Sequence, residues 1–137
     1  MDRDVYYGFM RLFGEEYART IHGAICYANS LVALERFGEA KALLRKRTPM
    51  ARRVLGESHV ISLGMRWIYA KTLYLNASAT LGDLRESVET LEKTARIARR
   101  VFGSAHPEVV RVEKDLHSAR VVLAARERQS PYAAGRG

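Results

Sequence analysis

Apolar residues recur along this chain at spacings of three and four, the signature of helices that bury one face. Ile21, Ala24, Ile25, Ala28, Leu31 and Val32 mark a first long helix from Ala18 to about Glu35. A turn carrying Phe37-Gly38 follows. A second helix, Glu39 to Leu55, turns Ala40, Leu44, Ala51 and Val54 inward. Pro49 lies inside it and predicts a kink or break near Thr48, because proline removes one backbone hydrogen bond and crowds the preceding turn. A third helix, from about Ser58 to Ala77, turns Met65, Ile68, Tyr69, Thr72 and Leu73 to the core. After the polar link 76–82, Asp83 is the expected N-cap of a fourth helix, with Glu86 completing a capping box. Leu84, Val88, Leu91, Ala95, Ala98 and Phe102 keep strict helical spacing along it. His106-Pro107 opens the last helix, which Val109, Val112, Leu116, Ala119 and Leu123 carry to about Arg128. No strand-like alternation occurs.

The helices are punctuated by a repeated segment. Arg52-Arg53-Val54-Leu55-Gly56-Glu57-Ser58-His59 returns as Arg99-Arg100-Val101-Phe102-Gly103-Ser104-Ala105-His106, with a fainter copy, Arg11-Leu12-Phe13-Gly14, near the start. The glycines Gly14, Gly56 and Gly103 stand 42 and then 47 residues apart, a period that marks stacked helical repeats. Glycine just past a helix end supplies the positive φ that the closing turn needs. Val5, Phe9, Leu12 and Phe13 suit a short helix ending at Gly14, so the chain is expected to begin inside a repeat, which leaves open a place in a longer array. The repeat frame is a partial unit at 1–14, full units at 15–56 and 57–103, and a partial unit at 104–128, followed by a flexible tail at 129–137.

Composition narrows the function classes. With 137 residues, 47% hydrophobic and 28% charged, the chain suits one folded domain. The single cysteine, Cys26, excludes an internal disulfide framework, and its apolar neighbours predict a small core residue. The four histidines are too widely spaced for a local metal motif; His59 and His106, at equivalent junction positions, are expected to cap helix starts. No phosphate-cradling glycine loop, nucleophile elbow or HExxH is present, and Glu15-Glu16 reads as a solvated turn, so neither catalysis nor a cofactor is expected. The start lacks a signal-peptide layout and no apolar run nears the roughly 20 residues of a membrane span, so a cytoplasmic protein without membrane insertion is expected. The formal net charge of +8 favours acidic partners. Lys41, Arg45, Lys46, Arg47, Arg52 and Arg53 form a run without acidic residues, most of which falls on the outer face; it could bind phosphates non-specifically, or simply be solvated.

The junction glycines and the small-residue pairs together resemble the tetratricopeptide repeats of kinesin light chain. Tyr27-Ala28-Asn29-Ser30-Leu31 followed by Phe37-Gly38-Glu39-Ala40 places the two alanines twelve positions apart. Tyr69-Ala70-Lys71-Thr72-Leu73 matches the first half of the next unit, Leu84 and Ser87 stand for Phe37 and Ala40, and Phe102-Gly103-Ser104-Ala105-His106-Pro107 matches the junction. The resemblance covers about residues 10–125. It implies an all-α, right-handed αα superhelix of about two and a half repeats acting as a protein-interaction module. Its concave surface would be lined by the first helix of each pair: His22, Ile25 and Asn29, then Trp67, Lys71 and Tyr74, then Arg111, Lys114 and Ser118. Lys71, Arg111 and Lys114 around Trp67 and Tyr74 would suit an acidic peptide with an apolar anchor; the other reading makes the two aromatics packing residues. The small number of units leaves an exposed end that would pair with another chain, as a homodimer or as a slice of a scaffold.

Overall fold

The computed structural model describes Ile21 and residues 23–129, all helical or in short connections, with no strand among them. His22, the segment up to Gly14, the Glu15-Glu16 pair and the tail beyond Gln129 lie outside the described residues. Among the described residues five helices follow one another: α1, described over residues 23–33, α2 (Phe37–Leu55), α3 (Val60–Tyr74), α4 (Leu81–Phe102) and α5 (Pro107–Gln129).

The chain zigzags between two layers. α3 touches α2, α4 and α5, and α4 packs along α5, whereas the backbones of α2 and α4 do not approach each other. Ile21 and Ala28 of α1 join Leu44 and Ala51 of α2 and Met65 and Ile68 of α3 in one core cluster. A second joins Ala70 and Tyr74 of α3 to Leu84, Leu91 and Ala95 of α4 and to Val112, Leu116 and Ala119 of α5. Helices α1, α3 and α5 therefore form one layer, and α2 and α4 the other. The expected stripes supply these clusters: Ala28, Leu44, Met65, Leu84, Leu91 and Val109 have no or almost no exposed surface.

Each helix end has its own chemistry. At Gly56 and Gly103 φ is positive, 92° and 88°, with ψ extended at 158° and 152°, a combination open essentially to glycine alone. Their N–H groups donate to the carbonyls of Arg52 and Arg99, both at 2.9 Å. Three residues on, His59 Nδ1 accepts from the Ile61 N–H at 3.0 Å, and His106 Nδ1 accepts from the Glu108 N–H at 3.1 Å. The Phe102 and His106 rings stack with centroids 4.8 Å apart. The two copies of the junction thus repeat one hydrogen-bond pattern.

His59 is buried, which holds its imidazole below the usual range. The folded state favours the neutral ring, whose Nδ1 lone pair makes the cap. The unfolded chain binds the proton more readily, so stability is complete above about pH 6.5 and declines as pH falls from there toward the folded value. Thermal melts between pH 8 and 5 should show this slope. His59→Asn, which keeps a capping acceptor without a titrating group, should flatten it.

The structure corrects several expectations. Cys26 is exposed, not in the core. At 100° per residue it lies two positions from both Ala24 and Ala28, on the opposite face of α1. The turn after α1 is Leu34–Arg36, not Phe37-Gly38, which starts α2. There Arg36 N–H donates to Leu31 and Glu35 N–H to Val32, a Schellman closure with Glu35 at φ 59° in the position glycine usually takes. Pro49 does not break α2, which continues to Leu55; it removes only the bond to the Arg45 carbonyl. The N-cap of α4 is Thr80, with Asp83 as the reciprocal partner at N3, so the capping box lies three residues earlier than expected.

Candidate functional site

On α3, Trp67, Lys71 and Tyr74 follow one another at spacings of four and three and project from one face. Both aromatics carry a donor that needs a partner once the ring is packed. A single carboxylate of α5 satisfies them: Trp67 Nε1 donates to Asp115 Oδ2 at 2.5 Å, and the Tyr74 hydroxyl to Asp115 Oδ1 at 2.6 Å. Tyr74 is buried, whereas Trp67 is half-buried and keeps part of its ring at the surface. The Lys71 ammonium stands 5.5 Å from the Trp67 ring centroid, a cation–π distance. Burial first, and the bond to Asp115 second, raise the Tyr74 hydroxyl well above the usual phenol range.

The other expected groove residues divide. Lys114, the neighbour of Asp115, is exposed, and Ser118 donates to its carbonyl. Arg111 is exposed and paired with Glu108. Asn29 is exposed on α1, which meets α3 in the first core cluster and not α5, and Ile25 is partly buried in that cluster. Trp67, Lys71 and Tyr74 are thus brought together, with Lys114 and Arg111 on the adjoining helix. The pattern of the sequence does not single out Asp115. Its signal was an acid flanking the Val112–Leu116–Ala119 stripe opposite two aromatic donors.

The basic run of α2 is not a uniform outer face. Lys41 pairs with Asp83 of α4 at 3.2 Å. Arg45 Nε donates to the Tyr69 hydroxyl at 3.0 Å, which in turn donates to Glu86 at 2.5 Å. Arg52 pairs with Glu57. Lys41 and Arg45 thus reach across to α4, and the two outer helices stand apart and leave an open cleft of about 690 Å³ between them. Lys46 and Arg53 remain exposed. The cations are legible in the sequence as a run, but the groups that answer them lie elsewhere: Asp83 and Glu86 on α4, Tyr69 on α3 and Glu57 in the junction after α2.

Among the described residues no cluster of three or more metal-ligating side chains occurs, and no helix is long and apolar enough to cross a membrane. No curated protein and no solved structure matches this chain. Residues 76–108, which hold the link before α4, the whole of α4 and the Gly103–His106 junction, match the family model described as a tetratricopeptide repeat. Repeats of this kind mediate protein–protein interaction and are typically non-catalytic. The match, the alternating two-layer packing and the duplicated glycine–histidine junction together give this chain an all-α, tetratricopeptide-like helical-repeat fold.

Proposed function

We propose that this chain is a protein-interaction module of the kinesin light chain-like kind, which captures an acidic segment of a partner protein on the α3–α5 surface. One observation carries the reading: Trp67 is held rigidly by Asp115 while part of its ring stays exposed beside the Lys71 ammonium. An aromatic anchor whose orientation is already fixed costs little entropy on binding, and such side chains dominate interface energetics. Lys71, Lys114 and Arg111 supply cations for carboxylates of the segment. No chemical step is involved.

The test is a titration of a short peptide of glutamates around one leucine, followed by Trp67 emission. A saturable blue shift that persists at moderate salt is expected. Lys71→Glu and Lys114→Glu should each weaken binding by about tenfold, the effect of about one lost charge-assisted contact. Unchanged affinity in both variants would reject the surface. Binding to duplex DNA alone, with Trp67 unmoved and affinity collapsing as salt rises, would transfer the function to the exposed Lys46 and Arg53.

A further inference from the structure

The cleft between α2 and α4 has an unusual floor. Arg66 of α3 is only 8% exposed, yet its Nη1 has no hydrogen-bond partner. On the α2 wall of the same cleft, Thr48 Oγ1 is also buried and unpartnered. A buried guanidinium is ordinarily answered by a carboxylate, because taking its charge out of water is costly. The nearest carboxylates bond to other cations, Glu86 to Arg45 and Glu57 to Arg52, and Glu57 reaches Arg66 only through its field. Lys93 and Arg96, less than one turn apart on α4, also line the cleft and form no ion pair among the described residues. Of the three carboxylates in the lining, only Glu89 is unpaired, so five cations face three anions.

We propose that this cleft is a binding site for a phosphoryl group, held by Arg66, Arg96 and Lys93, with the Thr48 and Thr90 hydroxyls as further donors. The lining is in excess by two positive charges, and a phosphate monoester carries close to two negative charges at neutral pH with three acceptor oxygens. A lone carboxylate would neutralise half of that excess. The planar guanidinium fork suits paired phosphate oxygens. Leu44, Pro49 and Ile97 give the cleft apolar walls, and its volume admits a phosphorylated side chain with its neighbours as readily as a free phosphate compound. Both sources present the same dianion. The site belongs to the α2–α4 layer and stands independently of the Trp67 surface.

Calorimetric titration of the full chain with inorganic phosphate, with a phosphoserine peptide of small neutral residues and with its unphosphorylated form tests the assignment. Saturable binding of the phosphorylated ligands alone is expected, weakened at least about tenfold by Arg66→Met and by Arg96→Gln. Arg66→Met replaces a lone buried charge with an apolar side chain and should still fold, as a cooperative melt would verify. Arg96 is exposed, so its substitution reads binding whatever happens at Arg66. Lys46→Gln, outside the cleft, and Lys71→Glu, on the Trp67 surface, should leave binding unchanged. A phosphopeptide about tenfold tighter than inorganic phosphate would support a phosphorylated partner as the source; equal affinity would support a free phosphate compound. Absence of saturable binding, equal loss in Lys46→Gln, or binding of duplex DNA alone would overturn the proposal.

Discussion

Leu91→Asp is expected to leave no cooperative thermal transition. Leu91 has no exposed surface and sits in the cluster where α3, α4 and α5 meet. Aspartate there removes the apolar contacts and buries a carboxyl group with no cation or donor to answer it, a cost of several kcal/mol whichever way it protonates. The whole stability of a domain of this kind is about 5–15 kcal/mol, so one such change consumes most of it. Leu91→Ala should cost about 2–5 kcal/mol and still give a cooperative melt at lower temperature. The contrast separates loss of volume from burial of charge. Circular dichroism melts of the two variants are sufficient, and an aspartate variant melting near the wild-type temperature would show that this face of α4 is not in the core.

Asp115→Ala is expected to cost about 2–4 kcal/mol, because it strands two donors at once. Trp67 Nε1 and the Tyr74 hydroxyl share this one carboxylate, and Tyr74 is buried. Three readouts should move together. The melting temperature falls, the Trp67 emission shifts, and Tyr74 ionises at lower pH. In the wild type, the folded value of Tyr74 is raised above the unfolded one by burial and by Asp115. Its contribution to stability is therefore complete below about pH 10 and is lost as pH rises toward the folded value. Absorbance titration should show Tyr74 and Tyr69 ionising late; in Asp115→Ala the lag of Tyr74 should shrink but not vanish, since burial remains. Asp115→Asn retains one acceptor oxygen and should fall between the two. A melting temperature unchanged in the alanine variant would mean that the two donors find water or another partner.

Periodicity carried the fold. The stripes through Ala28, Leu44, Met65, Leu91 and Val112 were legible because a helix buries whichever side chains recur at its own period. The duplicated junction was equally legible, since a positive φ with extended ψ at Gly56 and Gly103 tolerates little besides glycine. His59 and His106 cap their helices through bonds to residues two positions away, and interactions that local are written in order along the chain.

Errors arose where local signals competed. Cys26 lies among apolar neighbours in sequence, yet neighbours in sequence point to different sides of a helix. Glu35 closes α1 although a glycine stands three residues on, because the Schellman bonds and not the residue type located the end of that helix. Asp83 could serve as N-cap or as N3; Thr80 at the N-cap position decided between them.

The candidate sites required the third dimension. Lysines and arginines on α2 are visible in the sequence as a run of one sign, but whether each is free depends on Asp83 and Glu86 of α4, Glu57 of the junction and Tyr69 of α3. Trp67 and Tyr74 are visible as aromatics, but Asp115, 48 and 41 residues away from them, fixes both. What the sequence by itself determined was the helices, their buried faces and the joints between them, since those follow from spacing and backbone conformation within a few residues. Only the tertiary structure decided which charges are answered and which are left over in the cleft. Ion pairs and hydrogen bonds act over a few ångströms, and the distances between side chains on different helices exist only once the layers have packed.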